Sequence, residues 1–318
     1  MLVPIFLFCL GLILLIRSGT QFVDQAAAIA RRLQMPEVLI GATIVSLGTT
    51  LPEVMVSARA ALEGHGELAY GNAVGSVICN AALIGGLSAV MQPGRVSEGK
   101  MQLPTAFFFG AAAVYGVTVY GSGAFTRGIG AVLLGLLAVY MLLSVRQVRA
   151  QPEPASSARD DSSLAARFLW LVVSALLVAM GADLLVDNGI LIAQAIGVPE
   201  SVIGLTFVAL GTSLPELTTA LVSIRRGHSG LSLGNILGAN LLNLTLVSGL
   251  AAVLQPFQIP QSTALGGRNL AKWMDYPFML AAMLLLTLPT LCRGKTSRWQ
   301  GGALLALYAV FCVVQLSL

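Results

Sequence analysis

The chain has 318 residues, of which 56% are hydrophobic and only 10% charged, and its formal net charge is a modest +4. A soluble domain of this length needs far more charge to cover its surface, so the composition excludes an ordinary soluble globular fold. The 18 Lys and Arg form no basic run that would suggest nucleic acid, and Cys9, Cys79, Cys292 and Cys312 lie in apolar stretches without the paired spacing of a disulfide framework or metal cluster.

About 20 apolar residues carry a helix across hydrocarbon. Segments of that kind centre on 2–28, 36–60, 68–91, 101–121, 124–147, 167–193, 199–224, 231–255, 273–291 and 299–317. The first has no basic n-region and no small-residue cleavage site before Gln21, and reads as a spanning helix rather than a removed leader. The stretch 149–166, with Pro152, Pro154 and a run of Ser and Asp, reads as a solvated linker. With the N-terminus outside, the inner loops hold thirteen Lys and Arg and the outer loops four, Arg17 being within the first helix. The bias predicts both termini outside and a cytoplasmic linker.

The strongest signal is self-similarity. Residues 41–80 and 204–243 align without a gap at a constant offset of 163, and 16 of the 40 positions are identical. The match extends upstream, pairing Asp24 with Asp187, Pro36 with Pro199 and Glu37 with Glu200. Two halves of five helices each insert in opposite senses. The sequence therefore predicts an all-α polytopic membrane protein of ten helices, with 1–148 and 167–318 as inverted repeats. Transporters of that architecture hold their ions near the midplane, where the halves meet.

Each copy carries Gly-Thr-(Thr/Ser)-Leu-Pro-Glu in the middle of an apolar segment: residues 48–53 and 211–216. Proline removes a backbone donor and clashes with the preceding turn, so both helices should break there and free carbonyls near Ser46 to Thr50 and Ala209 to Ser213. Glu53 and Glu216 follow at once. A carboxylate at membrane depth costs several kcal/mol and normally faces a polar cavity. Two carboxylates with carbonyls and hydroxyls make an all-oxygen shell of the kind calcium takes. A bare kink with a satisfied acid is the plainer alternative, and it weakens when the whole motif repeats.

The second shared element is 71–80 (GNAVGSVICN) with 234–243 (GNILGANLLN). Residues 72, 76 and 80 are four apart and share a helical face. Asn72 and Asn235 suit helix packing through amide hydrogen bonds, while Ser76, Asn80 and Asn243 are better placed to face a cavity. His65 and His228 fall in short turns and read as turn or interface residues rather than metal ligands. Asp24, Asp183 and Asp187 sit towards helix ends, with Arg17 a candidate partner for one of them.

Together, GTTLPE and GTSLPE with GNAVGSVICN and GNILGANLLN resemble the α-repeats of the calcium/cation antiporter superfamily, and prokaryotic sodium/calcium exchangers in particular. The resemblance covers nearly the whole chain. It implies ten helices and ion sites grouped around the two glutamates. Calcium would be held by the carboxylates of Glu53 and Glu216 with the carbonyls of Thr49 and Thr212. One sodium site would use the carbonyl of Ser46 with Thr49, Thr50, Glu53 and Ser76; the other would use the carbonyl of Ala209 with Thr212, Ser213 and Glu216. Asn80 and Asn243 would line the middle.

Two positions depart from the archaeal type: Ala239 stands where a hydroxyl would complete the outer sodium site, and Asn243 where an acid can stand. A proton is therefore an alternative counter-ion. The reading implies calcium and sodium as transported ions, membrane lipid as surroundings, the inner cell membrane as location, and neither a cofactor nor nucleic acid. An intramembrane enzyme would need a nucleophile or metal site that the sequence does not offer, and a cation channel is a further class. The oligomeric state is not written in the sequence.

Overall fold

The computed structural model describes residues 2–94, 98–150, 163–195, 213–261 and 267–317. Eleven helical elements follow one another there: α1 (Leu2–Arg32), α2 (Glu37–Thr49), α3 (Leu51–Leu62), α4 (Gly66–Met91), α5 (Glu98–Tyr120), α6 (Arg127–Ala150), α7 (Leu164–Ala195), α8 (Leu214–Arg225), α9 (Ser229–Leu254), α10 (Ala271–Arg293) and α11 (Arg298–Ser317). The only strands described, β1 (Ala124–Phe125) and β2 (Phe257–Gln258), pair antiparallel and tie the α5–α6 loop to the α9–α10 loop.

Seven of the described helices are long and apolar enough to cross a membrane, and eight if α2 and α3, bent by 48° at their junction, form one broken span. The expected ten is thus not reached among the described residues. The shortfall has two sources. Of the segment 199–224 only α8 is described, a helix of 12 residues. Helix α11 is 20 residues long, but Arg298, Gln300 and Gln315 dilute its apolar content. Outward faces are as oily as the core: Val117, Leu142, Trp170 and Val313 are all more than half exposed, as lipid contact requires and water would not favour.

Polar residues inside the bundle repair what the sequence breaks. Pro289 interrupts α10 and cannot donate to the Leu285 carbonyl. The fully buried Gln300 of α11 donates instead, at 2.9 Å to Leu285 O and 2.7 Å to Leu286 O. Within α2, α4 and α9 a π-helical turn widens the ladder, at Gly41–Val45, Cys79–Ile84 and Asn243–Val247. Such turns release backbone groups and cluster at functional sites. The Ala42 carbonyl in the first accepts from Tyr140 Oη at 2.9 Å. The Asn243 carbonyl in the third accepts from Ser248 Oγ at 3.0 Å, and Ser248 is hydrogen-bonded in turn to Tyr115.

Glycine brings the two repeats together. A Cβ on Gly234 would lie 2.2 Å from the Val38 carbonyl oxygen, and one on Gly238 would lie 2.5 Å from both Ala42 Cα and Ser46 Oγ. On the facing helix, a Cβ on Gly41 would meet the Leu231 carbonyl oxygen at 2.5 Å. Helices α2 and α9 therefore touch backbone to backbone, an approach that only small residues permit.

Candidate ion-binding site

The site is assembled where α2, α3 and α4 of the first copy meet α8 and α9 of the second. Both Leu-Pro-Glu motifs build the same local structure. Thr50 (φ −84°, ψ −3°) precedes α3 and Ser213 (φ −93°, ψ 5°) precedes α8, each with proline in the first turn and glutamate behind it. The Thr50 carbonyl accepts from Val54 N at 3.1 Å, and the Ser213 carbonyl from Leu217 N at 3.0 Å. Proline at 52 leaves the Gly48 carbonyl without its usual donor. The Ser46 carbonyl is already engaged, by Thr50 N at 2.9 Å and Thr49 Oγ1 at 3.3 Å.

Glu53 and Glu216 are both fully buried. Neither carboxylate oxygen of Glu53 has a hydrogen-bond partner among the described residues, and Glu216 Oε2 has none either. The remaining oxygen, Glu216 Oε1, is 3.4 Å from Thr50 Oγ1, so a hydroxyl of the first copy reaches the carboxylate of the second. An ionised carboxylate without a partner at this depth costs several kcal/mol. Bound cations or protons are what would offset that cost.

The amides divide, although their spacing puts Asn72 and Asn80 on one helical face. Asn72 Nδ2 donates to Ser57 Oγ at 2.8 Å and to the Glu53 carbonyl at 3.3 Å. Asn235 Oδ1 accepts from Thr49 Oγ1 at 3.2 Å, a second link between the copies. Asn80 and Asn243, by contrast, are fully buried with all four side-chain polar atoms unpartnered among the described residues, as is Ser213 Oγ. Ser46, Thr49 and Ser76 are buried around them. Ala209 and Thr212 lie outside the described residues.

Asn240, not anticipated from the sequence, is buried with Oδ1 unpartnered among the described residues and Nδ2 3.1 Å from Met283 Sδ. It sits one turn before Asn243, and that i, i+3 spacing was the available signal. Tyr115 and Tyr140 were also missed. They brace the π-helical turns from α5 and α6, which carry no repeat motif.

The turns beyond the motifs match bond for bond. His65 N donates to Ala60 O at 2.7 Å and His228 N to Ser223 O at 2.8 Å, after Gly64 (φ 84°) and Gly227 (φ 79°). The positive φ is what glycine supplies at a helix C-terminus. His228 Nδ1 lies 2.6 Å from Glu37 Oε1, an interface contact between the copies. Asp24 pairs with Arg226 at 3.1 Å rather than with Arg17. That pair is half exposed and contributes little stability.

The described helices define a polytopic membrane protein with two glutamates buried in its interior. The sodium/calcium exchanger protein family profile matches residues 3–146 and 166–317, and the chain belongs to that family. The chain is 34% identical over 297 residues to the inner membrane protein YrbG of Escherichia coli, covering 91% of this chain and 89% of the relative. It is 35% identical over 307 residues to the putative antiporter CaxA of Alkalimonas amylolytica, covering 94% and 93%. A solved structure of the sodium-calcium exchanger NCX_Mj, soaked with 10 mM sodium and no calcium, superposes with a TM-score of 0.80 at 31% identity over 97% of both chains. The protein is therefore a multi-pass, all-helical membrane protein of an exchanger family, not of an enzyme family.

Proposed function

We propose that the protein exchanges calcium for sodium by alternating access, binding its ions at midplane between two inverted repeats of five helices. In this reading 1–148 and 167–318 are the repeats, 149–166 is a cytoplasmic linker, and both termini are outside. The observation that carries it is the pair of fully buried carboxylates with three unpartnered oxygens. Two negative charges balance calcium, which takes six to eight oxygens, water included. The Glu53 and Glu216 carboxylates with the Thr49 and Thr212 carbonyls supply part of that shell.

Sodium would occupy the flanks when calcium leaves. On one side are the Ser46 carbonyl, Thr49, Thr50, Glu53 and Ser76; on the other are the Ala209 carbonyl, Thr212, Ser213 and Glu216. Asn80 and Asn243, buried with amides unpartnered among the described residues, would line the middle. Helices α1 and α7 suit the moving part. They contribute no motif residue and pack tightly on one another, a Cβ on Gly181 falling 2.8 Å from Leu15 N. The membrane is the inner membrane, by likeness to YrbG.

A second reading, calcium/proton exchange, is favoured by Ala239. It is fully buried and offers a methyl group where Ser76 stands in the other copy. The outer sodium site is then one ligand short, and protons would neutralise the same carboxylates. Reconstituted vesicles decide between them. Calcium uptake is expected to follow an imposed sodium gradient at constant pH. Uptake driven by a pH gradient and indifferent to sodium would select the proton, and uptake driven by neither would overturn exchange.

A further inference from the structure

The two motif hairpins differ in one respect that calcium binding does not explain. On α8, Thr219 and Ser223 lie three and seven residues beyond Glu216 and share its helical face. Ser232 follows on the antiparallel arm, α9. All three are at most 2% exposed, and none of their hydroxyls has a partner among the described residues. Ser232 lines a small, mostly apolar cavity of about 30 Å³ at the end of the hairpin, with Ser88, Gln92, Ser229 and Thr296 among its polar walls. Ser88 Oγ is likewise unpartnered.

The first copy differs: Ser57, four residues beyond Glu53, is buried but bonded to Asn72. At the offset of 163, Thr219, Ser223 and Ser232 correspond to Val56, Ala60 and Ala69, and Ser88 corresponds to Ala251. Its hairpin end is filled instead. Phe257 packs directly onto Gly66, stacks on Phe125 at 5.0 Å, and leaves Tyr70 6.2 Å from the Phe125 ring. Glu216 is followed by unpartnered hydroxyls, the last of which lines the small cavity, and Glu53 by Ser57, already bonded to Asn72, and then an aromatic plug.

We infer that Thr219, Ser223 and Ser232 form a water-filled file that joins Glu216, and not Glu53, to the cavity at the α8–α9 turn. Buried hydroxyls without protein partners are satisfied by ordered water where a polar cavity has room for it. The species carried is water and, by transfer between water and the Glu216 carboxylate, the proton. The charge bias puts this end inside. The inference rests on Glu216 as an ion ligand that takes up water or a proton from this side each time its cation leaves.

Thiol labelling tests the file without requiring transport. Ser223→Cys, Ser232→Cys and Ser88→Cys are compared with Ala60→Cys, Ala69→Cys and Ala251→Cys in vesicles, using a small cationic methanethiosulfonate and subtracting the parent chain's own cysteines. The first three should react about tenfold faster or more, because thiolate chemistry needs water. Equal rates in the two sets would overturn the file. The triple variant T219V/S223A/S232A then asks whether the file serves Glu216. It should slow exchange about tenfold, equivalent to about 1.4 kcal/mol of barrier, with calcium affinity at equilibrium unchanged. An unchanged exchange rate would break the link to Glu216 even if labelling succeeds.

Discussion

The hairpins α3–α4 and α8–α9 share their backbone and differ in their surroundings. Proline entry, glutamate, the glycine with positive φ, the histidine and the π-helical turn recur at the same offset with the same hydrogen bonds. Around them the matches stop. Asn72 is spent on Ser57 within its own copy, whereas its counterpart Asn235 reaches across to Thr49. The Glu216 carboxylate receives a hydroxyl from Thr50 of the other copy, and Glu53 receives no side-chain donor among the described residues. Duplication thus preserves the geometry that presents a carboxylate, and single substitutions decide what each carboxylate meets. The two glutamates should be equally necessary but not interchangeable.

The largest expected effect tests the necessity. Glu53→Gln and Glu216→Gln each remove a charge that desolvated calcium needs, and calcium transport in vesicles should fall by about a hundredfold or more in both. Transport retained by one of them would mean that the copies are not partners in one site. A smaller effect probes the interface. Gly238→Val forces a side chain into the Ala42 backbone, where even a Cβ has only 2.5 Å. It should cost about 1–3 kcal/mol, read as a lower melting temperature in detergent. The smallest effect restores symmetry: Ala239→Ser gives the second copy the hydroxyl that Ser76 gives the first. The sodium midpoint for calcium efflux should fall a few-fold, and an unchanged midpoint would remove residue 239 from the sodium site.

Much of this was legible in the sequence because membrane depth leaves few options. A proline in the middle of an apolar segment needs a break, and α2 and α3 bend by 48° there; the glutamates that follow both prolines are fully buried. Helical spacing puts Asn72 and Asn80 on one face and did not by itself separate the bonded amides (Asn72, Asn235) from those unpartnered among the described residues (Asn80, Asn243). The bonds that cross between copies did not follow. Thr49 to Asn235 and Thr50 to Glu216 depend on how closely α2 and α9 approach, which Gly41, Gly234 and Gly238 set in three dimensions. The bracing tyrosines were invisible for another reason. Tyr115 and Tyr140 lie on helices outside the repeated motif, and an aromatic in an apolar run carries no mark of the carbonyl or hydroxyl it will meet.

The central claim is that Glu53 and Glu216 form one shared cation site. Equilibrium binding of radioactive calcium to the purified protein tests it most directly, with sodium as competitor. The wild type should bind calcium and release it as sodium rises, and both Glu53→Gln and Glu216→Gln, folded by their circular dichroism, should fail to bind. Calcium binding of wild-type affinity in either variant would contradict a site made by both carboxylates.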